Sequence, residues 1–255
     1  MSIRGEAAPF EPTRREVVVG GMLFAGLFIA GCQTYTPPPR GDTMRPSGDP
    51  LGVGSRPGSV PPPYEPPAPL PPPGVMPRST WTRAGVARPS EINPMGGVRR
   101  ITIHHDGMTV FTSTSQGDAA ARLEQIRQSH VAGRKWADIG YHYIIDPAGR
   151  VWEGRSVRYQ GAHVQDNNEN NLGIMMMGNF DLQRPTAQQQ GALDRFVASQ
   201  MRLHRVALSR VYTHQEIKPT ACPGRNLQTY MVSTRRSGGR LALALAETGD
   251  GTLLA

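Results

Sequence analysis

Apolar and polar positions change rhythm several times along the chain, and each change marks an element. Between Arg99 and His105, Ile101 and Ile103 alternate with Thr102, the twofold period of a short strand. From Ser115 to Gly133, Ala119, Leu123, Ile126 and His130 recur at helical spacing. The runs Tyr141–Ile145 and Arg150–Glu153 flank Asp146-Pro147-Ala148-Gly149, a turn-forming sequence, which predicts a hairpin. Leu172–Met177 is continuously apolar between Asn and Gly, as in a buried central strand, with Met175, Met176 and Met177 filling core. Thr186, after Pro185, predicts the N-cap of a helix that carries Leu193, Phe196, Val197 and Met201 on one face. Val206–Tyr212 reads as a further strand that ends before His214, and Leu241–Ala246 as a terminal helix or a disordered tail. The alternation of types predicts an α/β domain of about 150 residues, a mixed central β-sheet flanked by α-helices.

The first 78 residues follow another logic. Val17–Gly31 is a short apolar run behind Arg14-Arg15, below the roughly twenty residues a membrane-spanning helix needs, and it reads as a secretory signal. Its end, Ile29-Ala30-Gly31-Cys32, resembles the lipobox of bacterial lipoproteins, which implies cleavage before Cys32 and lipid on its thiol. Thr13-Arg14-Arg15-Glu16-Val17-Val18 resembles a twin-arginine export signal; the alternative is the basic start of an ordinary one. Of 24 prolines, 16 fall between Pro37 and Pro77, so the following segment is an extended spacer of polyproline type. About forty such residues at about 3.1 Å each reach roughly 100 Å. The expected organisation is a signal over 1–31, a lipidated Cys32 and Pro-rich linker over 32–78, a folded domain over 79–234 and a tail over 235–255. Gln33 lacks the Asp that resembles an inner-membrane retention signal, so an exported, membrane-anchored lipoprotein on the periplasmic face is expected, with the outer membrane favoured.

The formal charge is +8, almost entirely arginine, with lysine only at Lys135 and Lys218. The arginines are scattered, in pairs at most, without the basic run or aromatic-studded motif of a nucleic-acid binder. A solvated basic surface is the expectation, with no nucleic-acid partner.

Cysteine usage bears on chemistry. Only Cys32 and Cys222 occur, and an acylated Cys32 could not pair with Cys222 in an oxidising compartment. A lone exported thiol points toward metal ligation. His104-His105 at a strand end, His214, and Cys222 eight residues later supply imidazole and thiolate donors, the ligand types of zinc. Spacing alone leaves this open against structural histidines and an inert buried thiol.

The ordered segments around these residues narrow the choice. They are Ile103-His104-His105, Asp138–Ile145, Gly149–Arg155, Gly161-Ala162-His163, Asn168 with Leu172-Gly173-Ile174, Gly178-Asn179-Phe180 and Thr220–Gly224. Together they resemble the zinc N-acetylmuramoyl-L-alanine amidases, a family that includes phage lysozyme-type amidases and peptidoglycan recognition proteins. The match runs from about residue 98 to 230.

The resemblance implies a mixed sheet with one zinc ion in an open cleft, held by His104, His214 and Cys222. It implies that Tyr141 and Thr220 assist catalysis, and that His163 and Asn168 line the substrate groove. The implied reaction is hydrolysis of the amide joining the lactyl group of N-acetylmuramic acid to L-alanine, in peptidoglycan or muropeptides, by a monomeric enzyme. A binding lipoprotein that tethers membrane to wall without cutting is the alternative. Asp106 departs from the Thr or Ser usual in the family, which puts the local loop in question; His105 reads as structural, as do His130, His142 and Glu153.

Overall fold

The computed structural model describes Pro72 and residues 74–246. The signal over 1–31, Cys32 and nearly all of the Pro-rich segment lie outside the described residues, as does the tail beyond Ala246. Among the described residues no helix is long and apolar enough to cross a membrane.

Among the described residues six strands form one sheet: β1 (Val75–Met76), β2 (Arg100–His105), β3 (Tyr143–Ile145), β4 (Val151–Glu153), β5 (Asn171–Met176) and β6 (Val211–Thr213). Their spatial order is β1-β4-β3-β5-β2-β6. The β3–β4 hairpin is antiparallel and the other pairings are parallel, so the sheet is mixed as expected. Five helices accompany it: α1 (Gln116–Gln128), α2 (Ala187–His204), α3 (His214–Ile217), α4 (Arg225–Thr234) and α5 (Arg240–Ala246). A π-helical turn, Ser129–Gly133, follows α1.

The sheet separates two apolar layers. Ile101, Ile103, Leu172, Ile174 and Met176 pack with Leu193, Val197, Leu227, Met231, Leu241 and Leu245 of α2, α4 and α5. Ile144, Trp152, Met175 and Met177 pack on the other face with Trp81 and with Ala119, Leu123 and Ile126 of α1. Every residue of β5 is buried, which is why its sequence runs apolar without alternation. The three methionines are core, as their pattern predicts.

Polar groups fix the connections. The turn between β3 and β4 is organised by buried Asp146, which accepts from the backbone N–H groups of Ala148 and Arg150, from Arg150 Nε at 2.6 Å and from Trp152 Nε1 at 2.9 Å. Thr186 caps α2: its hydroxyl accepts from Gln189 N–H at 3.0 Å, and Gln189 Oε1 accepts from Thr186 N–H at 3.1 Å. The buried Gln189 amide then donates to Met177 O at 3.0 Å, tying the helix start to the end of β5.

Two boundaries differ from expectation. Part of the segment expected to be linker joins the domain: Val75–Met76 pairs with Val151–Trp152, and Arg78 reaches Asp138 at 2.9 Å and Gly154 O at 2.8 Å. The strand predicted from Val206 starts only at Val211, since Leu208–Arg210 first makes a 3-10 turn closed by Arg210 N–H on Ala207 O. Beyond Arg235, the helical alternative expected for Leu241–Ala246 is the one found, as α5, whose Leu241 and Leu245 are core residues.

Burial of histidine makes the fold sensitive to acid. His130 and His142 are each pushed down to about 3, chiefly by burial and then by nearby arginine charge. The unfolded chain takes up these protons near pH 6.5, whereas the folded chain refuses them until about pH 3, so stability falls as pH drops between those values. The expected loss is about 1.4 kcal/mol per pH unit for each histidine. Urea unfolding in chelator at pH 7 and pH 5 tests this; equal midpoints would refute it.

Candidate metal centre

The pairing of β2 with β6 builds the site. Ile103 lies opposite Thr213, so one residue further along each parallel strand His104 and His214 stand side by side, with ring centroids 4.8 Å apart. Thr213 N–H donates to Glu216 Oε2 at 2.8 Å, which turns the chain into α3 directly at His214. Cys222 returns from the loop after α3: Gln215 N–H donates to Cys222 O at 3.0 Å, and Cys222 N–H donates to Thr220 Oγ1 at 3.2 Å.

Ligand atoms of His104, His214 and Cys222 lie within 4.8 Å of one another. Cys222 Sγ is 3.6 Å from His104 Nδ1. Zinc–nitrogen bonds of about 2.0–2.1 Å and a zinc–sulfur bond of about 2.3 Å, set tetrahedrally, place nitrogen and sulfur about 3.5 Å apart. The donor set therefore fits a zinc ion in chemistry, and the Cys222–His104 pair fits it in spacing. Charge agrees as well. His104 is held well below the usual histidine range, first by burial and then by His163 and His214. Burial, then Lys218 and His105, take His214 down to about 4. Both imidazoles are neutral at pH 7, as ligation requires.

Around these atoms the surface is graded. His104 and His214 are buried, while Cys222, Tyr141 and Thr220 are half-buried. The Tyr141 ring centroid is 5.2 Å from that of His104. The Thr220 hydroxyl, accepting from Cys222 N–H, keeps its own proton for another acceptor.

His163 and Asn168 lie on the connection between β4 and β5. His163 is 2% exposed and lies behind His104, its Nδ1 at 3.0 Å from His104 Nε2. Asn168 Oδ1 accepts from the backbone N–H groups of His163 and Val164, each at 2.9 Å, and so braces the loop that carries His163. The contact of His163 with His104 is what sequence reading missed. The glycines at 161 and 173 carried the signal, for a Cβ on either would meet the His163 ring at 2.3 and 2.5 Å.

Three of the remaining histidines, His105, His130 and His142, have structural partners. His105 Nδ1 accepts from Phe180 N–H at 3.2 Å, and His130 Nδ1 accepts from Gly140 N–H at 3.1 Å. His142 bridges Gly173 N–H and Tyr159 O. Glu153 accepts from Arg78 N–H at 3.0 Å. The unusual Asp106 is saturated: it accepts from Arg122 Nε and Nη2, both at 3.1 Å, from Met108 N–H and from Gly178 N–H. That buried pair joins the end of β2 to α1 and to the loop after β5. A surface cavity of about 540 Å³ beside β6 contains none of these site residues, and its polar lining is engaged by the Arg235–Glu216 ion pair at 2.6 Å.

Comparison with known proteins matches residues 94–225 to the N-acetylmuramoyl-L-alanine amidase family. A peptidoglycan-recognition protein of Drosophila simulans is 34% identical over 156 residues, which cover 60% of this chain and 82% of that protein. The solved amidase LysC of Clostridium intestinale is 25% identical, with a TM-score of 0.50 over 60% of this chain and 91% of its own. A complex of tracheal cytotoxin with the ectodomains of peptidoglycan recognition proteins LCa and LCx is 25% identical, with a TM-score of 0.54 over 60% and 90%.

The Asp106 pair gives a direct test of the loop's anchoring. Asp106→Ala leaves the Arg122 guanidinium buried without its carboxylate, and is expected to cost about 3–5 kcal/mol in denaturant unfolding. A change below about 1 kcal/mol would place the pair among the exposed kind.

Proposed function

The chain belongs to the N-acetylmuramoyl-L-alanine amidase family, and on that premise we propose that it is a zinc-dependent hydrolase of peptidoglycan or muropeptides. The bond cut is the amide between the lactyl group of N-acetylmuramic acid and L-alanine. The observation that carries this reading is the convergence of His104, His214 and Cys222 within 4.8 Å.

These three residues would hold the metal, and three protein ligands are the number a catalytic zinc typically has. When bound, zinc supplies a Lewis acid that polarises a carbonyl and acidifies water. The protein's own groups do the rest. The two buried imidazoles stay neutral, so their lone pairs are available at pH 7. The Tyr141 phenol, beside His104, donates a hydrogen bond to the amide oxygen as negative charge gathers there. The Thr220 hydroxyl, fixed by the Cys222 N–H, orients the attacking water or the same oxygen.

The second reading, binding without cleavage, draws on the similarity to peptidoglycan-recognition proteins. Purified protein incubated with muropeptides separates the two: released stem peptides in the mass spectrum, lost on chelation and restored by zinc, identify the hydrolase. Binding with no product at any zinc level identifies the recognition module. We further propose that the protein is exported and lipid-anchored through Cys32 at the outer membrane, a reading from the leader sequence that cell fractionation tests.

Two substitutions divide the roles. Cys222→Ser is expected to lose zinc and abolish cleavage. Tyr141→Phe is expected to keep zinc while turnover falls about a hundredfold to a thousandfold, the usual effect of removing one such donor. Full activity in zinc-free Cys222→Ser would reject the mechanism.

A further inference from the structure

A chain of hydrogen bonds runs from a backbone carbonyl into the metal site. Asn171 O lies 3.1 Å from His163 Nε2, and His163 Nδ1 lies 3.0 Å from His104 Nε2. A carbonyl oxygen only accepts, so His163 carries its proton on Nε2, and its Nδ1 presents a lone pair. That lone pair can meet His104 only if His104 carries its proton on Nε2. His104 Nδ1 is then bare, and this is the atom 3.6 Å from Cys222 Sγ. The direction of every bond follows from one carbonyl.

The carbonyl and the ring are both held firmly. Asn171 opens β5 opposite Arg100, its side chain accepts from Thr102 Oγ1 at 2.8 Å, and its amide donates to Asn167 O at 2.8 Å. The His163 ring is slotted between Gly161 and Gly173, where any side chain would strike it. Asn168 grips the backbone at His163 itself.

We propose that His163 is a positioning residue for the metal ligand His104, fixing its ring and its Nε2–H tautomer so that Nδ1 faces the metal. The Gly161-Ala162-His163 segment and Gly173 thereby belong to the metal centre. The proposal rests on the zinc reading given above. A ligand imidazole whose second nitrogen donates to such a partner is more basic and better oriented, and losing the partner typically weakens metal binding about tenfold to a hundredfold.

The full protein, His163→Leu and His163→Asn provide the test. Leucine removes the acceptor, whereas the asparagine amide oxygen falls near the place of Nδ1 and restores it. Zinc affinity by chelator competition is expected to drop tenfold to a hundredfold in His163→Leu and to stay within about threefold of the parent in His163→Asn. The cobalt-substituted protein reads geometry without activity: the thiolate-to-cobalt band should shift in His163→Leu and return in His163→Asn. Unchanged affinity and bands in a folded His163→Leu, or equal losses in both variants, would overturn the proposal. Nitrogen-15 histidine spectra of the unsubstituted protein decide the matter even if a variant does not fold. Protons on Nε2 of both His104 and His163 are expected, and a proton on His104 Nδ1 in the zinc-free protein refutes the relay. A parent protein that binds no zinc at all defeats the metal reading instead, and its histidine tautomers still report on the relay separately.

Discussion

The site depends on one constraint, the parallel pairing of β2 between β5 and β6 at a fixed register. Ile103 faces Ile174 on one side and Thr213 on the other, so three strands bring their carboxyl ends to the same edge. Ligand sites in parallel sheets gather at that edge, where side chains and following loops converge. A slip of one residue would turn His104 into the α2 layer and bring Ile103 to the site. The apolar residues of β2 and β5 forbid it, since Ile101, Ile103 and Ile174 are fully buried in the layer that α2 covers. The candidate metal ligands His104 and His214 are therefore positioned by hydrophobic packing alone.

The same packing creates an unusual polar interior. His104, His105, His130, His142, His163 and His214 are all buried. Burying so many imidazoles is tolerable only when each is neutral and its nitrogens have partners. Most of those partners are backbone groups: Phe180 N–H, Gly140 N–H, Gly173 N–H, Tyr159 O and Asn171 O. Backbone partners cannot rotate away, so the floor beneath His104 is rigid. A ligand resting on such a floor loses little freedom when a metal arrives, which is the form preorganisation takes in this fold.

Elements with strong local patterns were legible in the sequence. The alternation in β2, the unbroken apolar run of β5, the Thr186 cap and the Asp146 turn each state their structure within a few residues. Elements defined by distant contacts were not. β1 is two residues long and exists because β4 offers a free edge to pair with. The predicted strand at Val206 yields its first half to a 3-10 turn, a choice that local apolarity cannot signal. His163 illustrates the same limit at the site. Its type and its glycine neighbours were visible, but its partner His104 is 59 residues away, and only the folded sheet shows that the ring points inward. The metal donors themselves could be named from family resemblance, while their convergence is a property of β2 and β6 in register.

Charge is where composition misleads most. A net +8 suggests a surface made to attract an anionic polymer. Several of the arginines are tied into the fold instead. Arg155 is buried and donates to three carbonyls, those of Asp138, Ile139 and Gln160, at enough desolvation to bring it down to about 10. Arg78, Arg122, Arg150 and Arg235 likewise join separate elements through carbonyls and carboxylates. Arginine suits this task because its planar fork satisfies several acceptors at once, which lysine cannot do. The excess of arginine over lysine is thus in good part a scaffold property. Under the proposed function, recognition of a cell-wall polymer would rest on the shape and chemistry around His104, His214 and Cys222 as well as on charge.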